Sequence, residues 1–207
     1  WKIRHPAIGR SHKSSAQSRS KRVYVVRHGQ SEFNVIFGAT RQDPGIEDPT
    51  ITDLGAAQIE ETRAFLTDKP VTSMIVSPYT RTLQSADILR RDLAVLTEIE
   101  PLIREHKHFS CDIGTHASAL SETWPHYDFS SLDEQWWPDD HENDAMVAAR
   151  ARRFFEKTQP RADWEGLVVV SHWGFIRGLC GLQVANGTVV KVDRAGTGTV
   201  VHVPDPC

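Results

Sequence analysis

The sequence predicts an α/β fold of three layers, α/β/α, with a mostly parallel central sheet. Short apolar runs rich in β-branched residues alternate along the chain with longer segments of helical periodicity. This alternation is typical of a parallel sheet that is covered by helices on both faces. Four of the runs are candidate buried strands, and they occupy residues 23–26, 74–76, 93–99 and 167–171.

Helices are predicted between these runs. Thr52 precedes an apolar-periodic segment, and its hydroxyl can cap a helix that continues to about residue 66. Similar patterns predict helices at residues 80–91, 141–157 and 173–182, and a last strand at residues 197–203. In open α/β sheets the ligand binds at the carboxyl ends of the strands, so functional residues are expected there.

Residues 106–140 interrupt this alternation. They form a predicted cap-like insertion after the strand at residues 93–99, taken as the fourth strand. The segment contains many aromatic residues, which argues against disorder, and long irregular insertions are commonly functional. We expect it to fold over the strand ends. Trp136 and Trp137 are expected to pack in the core or in this cap rather than to stack on a substrate.

Composition and charge restrict the class of protein. The chain has 207 residues, three cysteines and a net charge of −3. This length is typical of a single α/β domain, predicted at residues 22–207, and a basic arm at residues 1–21 precedes it. An acidic domain and the lack of a long apolar segment predict no nucleic-acid partner and no membrane partner. The expected location is cytoplasmic, or organellar if the arm is a transit remnant. The oligomeric state is left open, a dimer included.

The tripeptide Arg27-His28-Gly29 directly follows the first strand. A neutral imidazole is a good nucleophile, and a guanidinium binds phosphate oxygens in a bidentate manner. The other three runs lead to Arg81, Glu105 and His172 in the same way. We therefore expect these groups to converge at one edge of the sheet.

Five segments in this order resemble the histidine phosphatase superfamily, also called phosphoglycerate-mutase-like. The resemblance covers about residues 22–182 and rests on residues 25–34, 48–58, 77–86, 102–105 and 170–174. Residues 111–115 and 128–137 are similar to a phosphatase-type branch of that superfamily. The resemblance implies a metal-independent phosphatase that forms a phosphohistidine on His28.

The resemblance also implies a role for each matching residue. Arg27, Arg81 and His172 would bind phosphoryl oxygens in the transition state, with Asn34 as a neutral donor. Ser31 is either a ligand or a helix N-cap. Glu105 is the expected general acid, with Asp112 and His106 as its rivals. His28, Glu105 and His172 are thus the predicted catalytic residues.

No metal or other cofactor is expected. The insertion is rich in histidine, with Cys111 nearby, but the spacings match no standard zinc motif. The predicted substrate is a small phosphorylated metabolite. Two alternatives are a phosphoglycerate mutase and a non-catalytic phosphate- or protein-binding module. The acidic run at residues 128–144 disfavours highly anionic substrates if it faces the site.

Overall fold

The computed structural model describes residues 22–91 and 95–205. The predicted basic arm at residues 1–21 lies outside the described residues, as do residues 93 and 94 of the run at residues 93–99. The described elements are β1 (Arg22–Arg27), α1 (Glu32–Thr40), α2 (Asp53–Thr67), β2 (Ser73–Val76), α3 (Thr80–Leu89), β3 (Leu96–Ile99), α4 (Ala117–Thr123), α5 (Asp144–Thr158), β4 (Leu167–Ser171), α6 (Trp173–Cys180), β5 (Val189–Asp193) and β6 (Gly198–His202).

The six described strands form one sheet in the order β3-β2-β4-β1-β5-β6. The neighbours from β3 to β1 pair in parallel, whereas β5 is antiparallel to both β1 and β6. The predicted mostly parallel sheet is therefore confirmed. The strand β3 at residues 96–99 is the third along the chain, because the run at residues 167–171 forms β4.

Two hydrophobic clusters cover the two faces of the sheet, as the three-layer prediction requires. Alternate residues of β1 point to opposite faces, so that Tyr24 and Val26 pack with helices α2 and α3. Val23 and Val25 pack with helices α5 and α6 on the other face. Nearly all strand residues of β1, β2 and β4 are buried, which explains their unbroken apolar sequences.

The predicted helices are present, with ends set by ordinary capping. The hydroxyl of Thr52 accepts a hydrogen bond of 3.0 Å from Gly55 N at the start of α2. Helix α6 ends at Gly181, which adopts a φ of 76° that favours glycine. Strand β5 and the short helices α1 and α4 were not predicted. The run Thr188-Val189-Val190-Lys191-Val192 carried a readable strand signal for β5.

The insertion at residues 106–140 packs most of its aromatic side chains into the molecule. Trp136 and Trp137 belong to the cluster on the α2 and α3 face, and the ring of Trp136 lies 4.6 Å from that of Tyr79. Their predicted packing role is therefore confirmed. In the described part of the chain no helix is both long and apolar enough to cross a membrane.

Candidate active site

A cavity of about 620 Å³ opens at the carboxyl edge of the parallel strands. We call one end of it the inner end. Arg27, His28, Arg81 and Glu105 form this end, and the ring of His172 packs against that of His28. The outer end of the cavity is formed by helix α1, the start of the insertion and the start of α6, and this wall contains Phe33, Phe37, Gly38, Arg41, His106, His108, Phe109, Trp173 and Arg177.

His28 is placed at the inner end by the sheet. Its backbone N donates to Ser171 O on β4 at 3.0 Å, and its side chain is only 2% exposed. The Nδ1 atom lies 2.7 Å from the carbonyl oxygen of Gly29. A carbonyl can only accept, so Nδ1 carries the proton and Nε2 of the neutral ring holds the lone pair.

The pKa of His28 lies well below its usual value. Burial is the main cause, and the positive charges of Arg81 and Arg27 add to it. The imidazole is therefore neutral at pH 7, as a nucleophile must be.

The sharp turn after His28 depends on two glycines in contact. A Cβ on Gly29 would lie 2.3 Å from Gly55 O, and a Cβ on Gly55 would lie 2.1 Å from Gln30 O. Neither position tolerates a side chain without moving backbone. The turn therefore packs directly on the start of helix α2, which fixes the path of the chain from His28 to helix α1.

Two guanidinium groups flank His28. Arg27 donates from NH1 to Val184 O at 2.7 Å, and burial lowers its pKa to about 10, so it remains a cation at pH 7. Arg81 is 2% exposed, donates to Cys111 O at 2.8 Å and lies 4.3 Å from the centre of the Tyr79 ring. These anchors orient both guanidiniums and leave other N–H groups for an anion.

His172 is fully buried and does not form part of the cavity wall. Its Nε2 lies 2.8 Å from Ser77 Oγ, and its ring packs edge-on against His28 at 5.1 Å. Its Nδ1 has no hydrogen-bond partner among the described residues. Burial, followed by the charge of Arg81, holds the pKa of His172 well below its usual value, so this ring is also neutral at pH 7.

Glu105 is held at the amino end of helix α6. Its Oε1 accepts hydrogen bonds from Gly174 N at 2.7 Å and from His106 N at 2.8 Å. A Cβ on Gly174 would lie 2.4 Å from this oxygen, so the carboxyl group can approach only because residue 174 is glycine. Burial raises the pKa of Glu105, and the negative charge of Asp112 raises it further.

The rival acids both make structural contacts. Asp112 is 1% exposed, and its Oδ2 accepts from the backbone N atoms of His108 and Phe109 at 3.0 and 2.9 Å. Its Oδ1 lies 3.5 Å from Arg81 NH2. His106 Nε2 lies 2.6 Å from the carbonyl oxygen of Glu142. Asp112 therefore organises the start of the insertion around Arg81, and the role of Glu105 as the general acid stays a prediction.

A buried ion pair supports the backbone of Glu105 from behind. Arg150 donates to Glu105 O at 3.2 Å and to Leu102 O and Arg104 O at 2.8 and 2.9 Å. The same guanidinium makes two hydrogen bonds to the carboxylate of Glu142, at 3.0 and 2.8 Å. Neither Arg150 nor Glu142 was predicted as a site residue from the sequence, since neither belongs to a local motif.

Ser31 and Asn34 form a capping box at the start of α1. Asn34 Oδ1 accepts from Ser31 N at 3.0 Å, from Ser31 Oγ at 3.1 Å and from Asn186 Nδ2 at 3.1 Å. Both residues also border the cavity. The cap alternative for Ser31 is therefore present in the structure, and its role as a ligand stays a prediction, as does that of Asn34.

Asn186 and Ser77 are two site residues that sequence reasoning missed. Asn186 borders the cavity and donates to His28 O at 3.1 Å. Ser77 directly follows β2 and fixes the ring of His172. The position of Ser77 at a strand end was a readable signal, whereas the pair Asn186-Gly187 marks a turn but belongs to no functional motif.

A metal ion is the alternative occupant of the inner end. One ring nitrogen each of His28 and His172 and one carboxyl oxygen of Glu105 lie within 4.8 Å of one another. The neighbouring guanidiniums of Arg27 and Arg81, however, already disfavour positive charge on both imidazoles. The same field favours an anion over a divalent cation. The absence of a metal cofactor stays a prediction.

The histidines of the insertion do not join this group. His126 contacts Asp87 at 2.9 Å, and His116 lies 3.8 Å from Glu134. His108 lies between His106 and His141, with ring centres 6.0 and 5.4 Å apart. Within the described ranges, the trio at the inner end is the one set of such residues at metal-binding spacing.

The acidic run at residues 128–144 does not line the cavity. The acidic residues of the wall are Glu105 and Asp112, and its cations are Arg27, Arg41, Arg81 and Arg177. Glu142, within the run, pairs with Arg104 and Arg150. At the end of the run, Asp144 pairs with Arg177 and lies 3.9 Å from His106, both of which belong to the outer end. The condition attached to the argument against highly anionic substrates therefore holds only at this end of the run.

Comparisons with known proteins identify the family and the fold. A family model for the histidine phosphatase superfamily, branch 1, matches residues 23–200. A probable phosphatase of Schizosaccharomyces pombe is 26% identical over 120 residues, which are 55% of this chain and 54% of that protein. A probable phosphoglycerate mutase, GpmB, of Photorhabdus laumondii is 32% identical over 83 residues, which are 40% of this chain and 37% of that protein. The chain thus matches about half or less of the length of these curated relatives.

Among solved structures, a mycobacterial glucosyl-3-phosphoglycerate phosphatase has a similar fold. It gives a TM-score of 0.61 at 19% sequence identity, and the match covers 90% of this chain and 99% of that chain. At this level of identity the likeness concerns the fold.

Proposed function

We propose that this chain, which belongs to the histidine phosphatase superfamily, is a metal-independent phosphomonoesterase that acts through a phosphohistidine. The substrate would be a small phosphorylated metabolite. The observation that carries this proposal is the hydrogen bond between His28 Nδ1 and Gly29 O. It leaves Nε2 of a neutral imidazole as the nucleophilic atom, in a cavity flanked by two guanidiniums.

In the first step, the lone pair of His28 Nε2 attacks phosphorus. The N–P bond forms while the P–O bond to the alcohol breaks. Arg27 and Arg81 stabilise the charge on the equatorial oxygens, and the unpartnered His172 Nδ1 is a third donor when Ser77 Oγ donates to its Nε2. Glu105, whose pKa is raised by burial, gives its proton to the leaving oxygen.

In the second step, a water molecule attacks the phosphohistidine. The Glu105 carboxylate left by the first step accepts a proton from that water as the O–P bond forms and the N–P bond breaks. Inorganic phosphate, neutral His28 and protonated Glu105 are regenerated. The same carboxyl group thus acts first as an acid and then as a base.

The covalent intermediate provides the direct test. Rapid quenching of the enzyme with a radiolabelled phosphate monoester should give protein-bound phosphate that is stable in alkali and lost in acid. Digestion should locate the label on the peptide that contains His28. Turnover with no such label under conditions where phosphorylation outpaces hydrolysis would contradict the mechanism.

Chelation tests the metal alternative raised by the trio His28, Glu105 and His172. Hydrolysis of p-nitrophenyl phosphate should persist after exhaustive treatment with EDTA. Activity that is lost on chelation and restored by Zn²⁺ or Mg²⁺ would assign the trio to a metal centre.

A phosphoglycerate mutase is the second candidate function. It is favoured by Arg41, an outer cation of the cavity that has no carboxylate partner among the described residues. Incubation with 3-phosphoglycerate and a trace of 2,3-bisphosphoglycerate separates the two functions. The phosphatase should release phosphate with little 2-phosphoglycerate, whereas mutase turnover above phosphate release would establish the second candidate. A binding module would do neither.

A further inference from the structure

The cavity is larger than a phosphoryl group requires. Its volume of about 620 Å³ falls within the range of about 300–1,000 Å³ that holds drug-sized ligands. The phosphoryl group needs only the inner end, where Arg27, His28 and Arg81 lie. The outer end must therefore accommodate the alcohol part of the substrate, and its side chains indicate what that alcohol carries.

Three phenylalanines form an aromatic wall at the outer end. Phe33 and Phe37 stack at 5.2 Å with an interplanar angle of 14°, and Phe109 packs against them at 5.6 and 4.8 Å. All three border the cavity, and Phe37 and Phe109 remain partly exposed. Mutual packing satisfies one side of the cluster, and the side toward the cavity offers apolar surface to a flat group.

Arg41 borders the cavity at the same outer end. It follows helix α1 as the C-cap residue, and its guanidinium lies 5.9 Å from the centre of the Phe37 ring. It has no carboxylate partner in the part of the chain that the structure describes. Arg177, the other outer cation, differs because it forms an ion pair with Asp144. Arg41 is thus the outer cation that is available to an anionic group.

We propose that the natural substrate is a phosphate monoester of an alcohol that carries an aromatic ring with an anionic substituent. The ring would lie against Phe33, Phe37 and Phe109, and the anionic group would contact Arg41. This inference rests on the proposed phosphatase function and specifies the substrate class of the same site.

Three synthetic substrates with equally basic leaving groups test it. They are propyl phosphate, 3-phenylpropyl phosphate and 3-(4-carboxyphenyl)propyl phosphate. All are esters of primary alcohols, so the chemical step is matched and differences in kcat/KM report binding at the outer end. The phenyl group should raise kcat/KM by about tenfold to hundredfold, the range expected for burial of one aromatic group. The carboxylate should add about twofold to fivefold more, as exposed ion pairs do.

Gly38 provides the sharpest variant. It lies on α1 in the cavity wall, and a Cβ there would meet no atom within 4 Å. Because Gly38 borders the cavity and has open space at its Cβ position, Gly38→Leu is expected to extend into the outer end, and leucine favours the helix more than glycine does. It should abolish most of the gain from the phenyl group. Arg41→Gln should remove only the gain from the carboxylate, and that gain in the wild type should shrink with added salt.

Ile36→Ala is the matched control. Ile36 lies on the same helix, is 39% exposed and is outside the cavity wall, so its loss should change no kcat/KM ratio. Thermal unfolding checks that each variant folds. Equal kcat/KM for propyl and phenylpropyl phosphate, or a phenyl gain that survives Gly38→Leu, would overturn the aromatic subsite. A carboxylate gain that is absent, or unchanged in Arg41→Gln, would overturn the anionic contact.

The same series separates this inference from the proposed function. If p-nitrophenyl phosphate and all three alkyl phosphates remain intact, the phosphatase proposal itself fails. If all are hydrolysed and kcat/KM does not depend on the outer substituent, only the proposed substrate class is wrong.

Discussion

The two ends of the cavity are built from different parts of the fold. The inner end follows strands β1 and β4, and the backbone bond from His28 to Ser171 ties these strands together. The outer end is formed by helix α1 and the start of the insertion, which are linked through Ser110 and Asp43 at 2.8 Å. The sheet edge therefore positions Arg27, His28 and His172, whereas a peripheral helix and a loop shape the outer end.

Mutations at the two ends should therefore affect catalysis in different ways. Changes at the inner end should lower kcat/KM for every phosphate ester, because they remove groups that act on phosphorus or on the leaving oxygen. Changes at the outer end should alter ratios between substrates.

Replacement of His28 should have the largest effect. His28→Ala removes the nucleophile, and kcat should fall by about four to six decades for all esters, as in other covalent enzymes. The measurement is steady-state release of phosphate from p-nitrophenyl phosphate and an alkyl phosphate. His126→Ala, which changes an exposed histidine of the insertion, is the control. Wild-type turnover in His28→Ala would refute the assignment of the nucleophile.

Glu105→Gln should discriminate between leaving groups. The amide keeps the shape of the side chain but has no titratable proton, so alkyl phosphates should lose about two to four decades of kcat/KM. Hydrolysis of p-nitrophenyl phosphate should fall much less, because its leaving group needs no proton. If both substrates slow equally, Glu105 is structural, and Asp112→Asn becomes the next variant to assay.

Replacement of Arg150 tests whether the position of Glu105 depends on the buried ion pair between Arg150 and Glu142. Arg150→Lys keeps the positive charge but cannot bond Glu142 and the carbonyls of residues 102, 104 and 105 together. We expect about a tenfold loss of kcat/KM for alkyl phosphates, with a smaller loss for p-nitrophenyl phosphate, and about 1–3 kcal/mol lower stability.

The matched control is Arg153→Lys, an exposed position on the same helix. Lower stability with no change in the ratio of the two substrates would show that Arg150 holds the fold and does not position Glu105.

The buried histidines predict a moderate dependence of stability on pH. The folded-state pKa values of His28 and His172 are both lowered, so below about pH 6.5 the unfolded chain binds more protons than the folded one. The free energy of unfolding should fall on acidification by about 1.4 kcal/mol per pH unit for each histidine. The raised pKa of Glu105 opposes this trend.

Denaturant unfolding at pH 6.5 and 5.5 gives the change in the free energy of unfolding over this interval. The difference in this change between wild type and His28→Asn isolates the contribution of the His28 ring. The variant should lose less stability over this interval. Identical slopes in the two proteins would mean that His28 can be protonated in the folded state, which the proposed mechanism does not allow.

The framework of the fold follows from local sequence. The apolar runs at β1, β2 and β4 are stable when buried on both faces, which is why the three layers were predictable. Gly29 and Thr52 mark a turn and a cap whose geometry depends on a few neighbouring residues. Because parallel strands end at the same edge, the motif residues that follow them were also expected to meet, and His28, Glu105 and His172 do lie together.

Only the tertiary structure decided what surrounds those residues. Asn186 contacts His28 across 158 positions of the chain, and Arg150 reaches Glu105 across 45, so no local pattern could pair them. The insertion packs Trp136 and Trp137 into the hydrophobic cluster on the α2 and α3 face, a contact between distant segments that no local pattern specifies. The antiparallel position of β5 likewise follows from its pairing with β1. Local sequence specifies elements and turns, whereas contacts between distant segments depend on how all of them pack at once.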